Sequence, residues 1–141
     1  MDVARQLLDF WMHLMRPSGG QALYALLAEL DLTFTHMKTL HMLGGCREEL
    51  SVKELSAMLS ASMPNASRIV DSLQKRGFVE RREDEHDRRI KRVRITEDGR
   101  EVVQRINAAR LEGLEAFTAS LTDAQRRRLS GALAALNLQE D

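Results

Sequence analysis

At Gly77 the spacing of the apolar residues changes, and this constrains the fold more than any other feature of the chain. Upstream, apolar side chains recur every three or four positions, as in helices. Downstream, Phe78-Val79-Glu80-Arg81-Arg82 and Ile90-Lys91-Arg92-Val93-Arg94-Ile95 have strand composition, the second alternating apolar with basic. Between them, Glu83-Asp84-Glu85-His86-Asp87-Arg88-Arg89 is all charged or His. Two short strands around such a loop predict an antiparallel hairpin with a long polar tip.

Two short helices are predicted just before it. Ser51-Val52-Lys53-Glu54 is a capping-box pattern, in which hydroxyl and carboxylate satisfy each other's free backbone N–H groups. It opens a helix at about 52–59, with Leu55, Met58 and Leu59 inward. Ser62 caps a second at about 63–76, Pro64 is tolerated in its first turn, and Gly77 stops it. Helix, short turn, helix and basic hairpin make a winged helix-turn-helix.

The flanks are surplus to that small domain. A helix at 2–15 is followed by a break at Arg16-Pro17-Ser18-Gly19-Gly20 and a second helix at 21–30. Thr33 caps a helix at 34–43, with Phe34, Met37, Leu40 and Met42 or Leu43 inward. Thr96 caps a long helix at 97–119, and Thr122-Asp123-Ala124-Gln125 starts a last one at 123–137. The first helix is apolar over most of its circumference, which in so short a chain calls for a partner subunit. The expected class is mostly α with a small antiparallel β-hairpin. Dimerisation helices at 1–32 and 97–141 flank a DNA-binding domain at 33–96.

Charge points to the partner only through its distribution. The 141 residues balance 21 basic against 21 acidic side chains, but residues 62–100 hold 11 basic and 8 acidic ones. A local excess of this kind is how a nucleic-acid surface hides in a neutral protein. No apolar run approaches the roughly 20 residues of a membrane span. Asp2 and Asp9 interrupt the apolar pattern of the N-terminus, which argues against a signal peptide. The single Cys46 cannot form an internal disulfide and fits a reducing cytoplasm. No phosphate loop, cysteine pair or His-x-x-x-His pair calls for a cofactor or metal, and no nucleophile is paired with a base, so no enzyme is expected.

Laid out at about 100° per residue, the 63–76 helix has Ala66, Ile69, Val70 and Leu73 on one side. Pro64, Asn65, Ser67, Arg68, Asp71, Ser72 and Lys75 fall on the other. Short hydrogen-bonding residues with one Arg suit a helix entering the major groove, where Arg can bond guanine bidentately. The alternative is an ordinary solvated face. On the hairpin, Arg88, Arg89, Lys91, Arg92 and Arg94 offer a minor-groove probe and phosphate contacts. Here the alternative is that Glu83, Asp84, Glu85 and Asp87 neutralise the tip. Asp87 or Asp71 is expected to hold the rotamer of Arg89.

Leu50-Ser51-Val52-Lys53-Glu54-Leu55, Asn65–Leu73, Gly77–Arg82, Asp87-Arg88-Arg89 and Val93-Arg94-Ile95-Thr96-Glu97-Asp98-Gly99 together resemble the MarR family of bacterial transcription regulators. The likeness covers about 33–105 closely and the flanking helices by layout. It implies a cytoplasmic homodimer on a pseudo-palindromic operator in double-stranded DNA, usually a repressor. It places groove-reading positions on Ser62, Asn65, Ser67 and Arg68, and a wing-tip pair on Asp87 and Arg89. Many members release DNA when a small effector binds, and Trp11, Met15, Met37 and His41 are the candidate lining of such a pocket, with core or dimer packing as the alternative. The Pro17–Gly20 interruption departs from the family layout beside that pocket.

Two other classes share this layout: a winged-helix protein-interaction module, and a redox or metal sensor on the same fold. The Arg-rich hairpin argues against the first. For the second, Cys46 follows Gly44-Gly45, whereas single-cysteine sensors of the family carry theirs in the N-terminal helix. His36 and His41 are five residues apart, about 140° around a helix, and share no face.

Overall fold

In chain order the elements are α1 (Val3–Leu14), α2 (Pro17–Glu29), α3 (Phe34–Gly45), β1 (Leu50–Ser51), α4 (Val52–Leu59), α5 (Met63–Lys75), β2 (Val79–Glu83), β3 (Lys91–Ile95), α6 (Glu97–Ala119) and α7 (Asp123–Leu136). The computed structural model describes residues 2–14 and 17–136, and only the backbone of 17–20. The chain divides into a central unit, Leu26–Asn107, and a terminal unit formed by 1–25 with 108–141. No helix among the described residues is long and apolar enough to cross a membrane.

The central unit is built around Leu40, Leu55, Val70, Leu73, Val79, Val93 and Ile106, all almost fully buried. Its helix starts are set by side chains that satisfy otherwise unpaired N–H groups. Ser51 Oγ accepts from the Glu54 N–H at 3.1 Å, and Glu54 Oε2 accepts from the Ser51 N–H at 2.6 Å. At α5, Ser62 Oγ accepts from the Asn65 N–H at 3.3 Å. At α3, Thr33 caps His36, and His36 Nδ1 accepts from the Thr33 N–H at 3.2 Å, which requires an unprotonated Nδ1. Burial, then the Arg76 guanidinium, lowers the pKa of His36.

The three strands lie in the order β1-β3-β2 and are antiparallel, with Val79 opposite Ile95, Arg81 opposite Val93 and Glu83 opposite Lys91. β1, which adds Leu50 opposite Val93, was not expected; its two residues run directly into the cap of α4. Gly77 turns the chain between α5 and β2 with φ at +77°, a conformation that favours glycine. Gly99 is there for space: a Cβ on it would lie 2.2 Å from the Phe78 carbonyl oxygen. That oxygen also accepts from the Thr96 N–H at 3.0 Å, so the first turn of α6 rests on the main chain where the hairpin begins.

Several inward assignments need correction. Phe34 and Met58 are exposed, while Thr39 and Ser56 are buried. Each of these two polar residues is satisfied within its own helix, Thr39 Oγ1 donating to Thr35 O at 2.8 Å and Ser56 Oγ to Lys53 O at 2.8 Å, so burial costs little. Helix α2 starts at Pro17 rather than 21, since proline fits a first helical turn. The expected break is therefore absent over 17–20, and Arg16 lies outside the described residues.

In the terminal unit, α1 and α7 contain no buried residue. Phe10 meets Phe117 edge to face at 5.5 Å, and His13 meets the same ring at 5.9 Å. Val3, Leu7, Leu8, Trp11, Met12, Leu133 and Leu136 are exposed.

Candidate nucleic-acid interface

Helix α5 buries Ala66, Val70 and Leu73, which turns its other face outward. Asn65 and Arg68 are exposed there, and Ser62 and Pro64 are exposed at its start. Arg68 has no ion-pair partner among the described residues. Ser67 is half-buried because β2 packs beside it.

The wing differs, for its cations have acids beside them. Asp87 grips Arg89 with both oxygens, Nε–Oδ1 at 3.1 Å and Nη2–Oδ2 at 3.0 Å, and Oδ1 also accepts from the Arg89 backbone N–H. The Arg89 side chain nonetheless remains 91% exposed. Hydrogen bonding to Arg89 lowers the pKa of Asp87, and Asp87 raises that of Arg89. Lys91 lies 2.9 Å from Glu83, and Arg88 more loosely 3.9 Å from the same carboxylate. Arg94 lies 2.7 Å from Glu80, and Arg82 holds Glu49.

Asp84 organises the turn. One oxygen accepts from Arg92 Nε at 2.9 Å, and the other from the N–H groups of His86 and Asp87 at 3.0 and 3.1 Å. These bonds, led by the one from Arg92, lower its pKa to about 2. Arg92 also lies 3.5 Å from Glu54, the capping residue of α4.

Asp71 does not hold Arg89. It pairs with Arg81 at 2.9 Å, and Arg81 Nη2 also donates to Ser67 Oγ at 3.2 Å and Ser67 O at 3.3 Å. Asp71 thus secures the base of the wing and not its tip. Ser67 and Asp71 are one helical turn apart, and Arg81 lies on the Val79 side of β2, facing α5. Arg81 was missed from sequence, although the period of two placed it on that inward face. A cleft of about 670 Å³ runs between the starts of α4 and α5 and strand β3, with Met63, Pro64, Ser67, Arg81, Arg89 and Lys91 on its walls.

The residues singled out for an effector fall in different settings. Met37 is buried in the central core. His41 has Nε2 at 2.9 Å from Asn107 Oδ1 and Nδ1 at 3.2 Å from Met37 O. Trp11 is exposed on α1, and Met15 lies outside the described residues. Cys46 caps the end of α3 and is half-buried. No group of three or more His, Cys, Asp or Glu among the described residues could hold a metal ion.

Two helices joined by a tight turn, the second with an open polar face, and a charged hairpin behind them define a winged helix-turn-helix protein. Residues 30–90 match the model of the MarR family. Over 76 residues it is 37% identical to the transcriptional repressor MprA of Escherichia coli K12. That match spans 54% of this chain and 43% of MprA, so the chain covers less than half of the curated relatives it matches. Among solved structures, the S. aureus MepR–DNA complex shares the fold at a TM-score of 0.72 and 20% identity, over 94% of this chain and 96% of that one. The transcriptional regulator Tm0710 of Thermotoga maritima does so at 0.76 and 21%, over 94% and 89%.

Proposed function

We propose that this protein is a sequence-specific DNA-binding transcription regulator, a repressor that acts as a cytoplasmic homodimer. The observation that carries the reading is Arg68: an exposed guanidinium without an ion-pair partner among the described residues, on the outward face of α5 beside short polar side chains. Such a face can approach base edges, and the wing beside it can meet the backbone. The repressor named among the relatives and the DNA in the MepR complex support the same reading.

The dimer follows from the terminal unit. Leaving Val3, Leu7, Leu8, Trp11 and Met12 in water forfeits about 25 cal/mol for each Å² of apolar surface that a partner would cover. We assign 1–32 and 97–141 to dimerisation and 33–96 to DNA binding. Ser62, Asn65, Ser67 and Arg68 read bases, while Arg88, Arg89 and Lys91 meet the minor groove and phosphates. Release by a small effector belongs to the same reading, with His41 as its candidate contact in the central unit. No catalytic step is part of it.

Selection of bound duplexes from a random pool tests this, with sedimentation of the free protein. The expected outcome is an enriched two-fold-symmetric motif, affinity that falls with salt, and a mass near twice 16.0 kDa. Equal binding of all sequences, or a stable folded monomer, would overturn it.

A further inference from the structure

We infer that Arg81, which does not itself read DNA, decides what Ser67 reads: it makes position 67 of α5 a hydrogen-bond donor aimed at an acceptor on a base edge. The inference rests on the DNA-binding reading. A serine hydroxyl can donate or accept, and so discriminates poorly by itself. Here the oxygen already accepts from the Arg81 guanidinium at 3.2 Å. Accepting from a cation polarises a hydroxyl and strengthens its own donation. Serines within helices often spend that proton on a carbonyl of the preceding turn. Ser56 does so, donating to Lys53 O, whereas the Ser67 proton has no acceptor among the described residues.

Arg81 is itself constrained. Asp71 holds Nη1 at 2.9 Å, the Ser67 carbonyl takes a second bond from Nη2, and Nε is buried without a partner. The guanidinium therefore has little freedom to turn away from Ser67. Ser67 also opens onto the cleft between α5 and β3 and sits near the helix start, where recognition helices touch bases. The acceptors offered there are purine N7, guanine O6 and thymine O4, while the cytosine amino group would be refused.

The experiment selects duplexes from a random pool with the full-length wild type, Ser67→Ala, Arg81→Gln and the double variant, then measures affinity for the wild-type motif and for random DNA. Ser67→Ala should lose base preference at one position of each half-site, with a drop of about fivefold in the specific-to-random ratio. Arg81→Gln should lose preference at the same position. The double variant should fall by about fivefold in total, not by the product of the two. Removing the major-groove acceptor of the selected base, by a 7-deazapurine for N7 or by hydrogen in place of guanine O6 or thymine O4, should cost the wild type affinity and leave Ser67→Ala unaffected. If Arg81→Gln melts below the assay temperature, Asp71→Asn, which frees Arg81 from a half-buried position, serves in its place. Additive losses, or equal weakening on every sequence, would reduce Arg81 to a structural brace and overturn the inference alone. A wild type that enriches no motif would overturn this inference and the DNA-binding reading together.

Discussion

The outward face of α5 and the wing are both basic in sequence, yet they hold their charge differently. On α5, Arg68 has no paired carboxylate among the described residues. On the wing, Arg89, Lys91, Arg92 and Arg94 each lie within 2.7–3.0 Å of an acid. A cation held by a carboxylate is oriented, but it must share or give up that partner to meet a phosphate. The helix is thus suited to discriminate and the wing to dock in a fixed posture. Counting arginines cannot separate the two.

The largest effect that sharpens this contrast is expected at Arg68. Arg68→Ala should cost about 1–3 kcal/mol of discrimination between the selected motif and random DNA, if its contact is bidentate to guanine. Equal weakening on both duplexes would show that α5 docks and does not read.

Next comes the wing tip. Arg89→Ala should reduce affinity with folding unchanged. Asp87→Ala should also weaken binding, by less, although it removes a negative charge. Simple electrostatics predicts tighter binding for Asp87→Ala, and that result, in titrations at fixed salt, would cancel the orienting role.

Acid should loosen the same turn. The pKa of Asp84 is about 2 in the fold against an ordinary 3.8, so the stability it contributes is complete above 3.8 and is lost as pH falls through about 2. Amide exchange at His86 and Asp87, corrected for its intrinsic pH dependence, should show protection at pH 5 that declines below pH 4. Unchanged protection at pH 2 would mean that Asp84 does not hold the turn.

The smallest effect is expected at Lys91, which Glu83 already neutralises in part. Lys91→Ala should weaken all sequences alike and lower the slope of log affinity against log salt by less than about 0.9, the value for one full phosphate contact. A full unit of slope would show that the pairing with Glu83 dissolves on DNA.

Much of this was legible in the residues, and the failures have physical causes. The Ser51–Glu54 box and the Thr96 cap give the starts of α4 and α6 because capping chemistry is local. The inward face of α5 followed from its period, but those of α3 and α4 failed at Phe34 and Met58, since amphipathic spacing does not tell which edge of an apolar stripe meets a neighbour. β1 is too short to carry a pattern. Of the two acids expected to hold Arg89, Asp87 does so, whereas Asp71 pairs with Arg81, which depends on how β2 lies along α5, a relation between elements that no spacing within either reveals.

The contact of Gly99 with the Phe78 carbonyl sets a tolerance for this part of the molecule. A joint between two stretches of main chain is indifferent to the size or charge of most neighbouring side chains, so the hairpin root can absorb wide sequence drift. It cannot absorb one methyl group. Position 99 is a single-atom gauge of how closely the long helix and the wing are seated, and any chain that keeps this seating must leave that atom out.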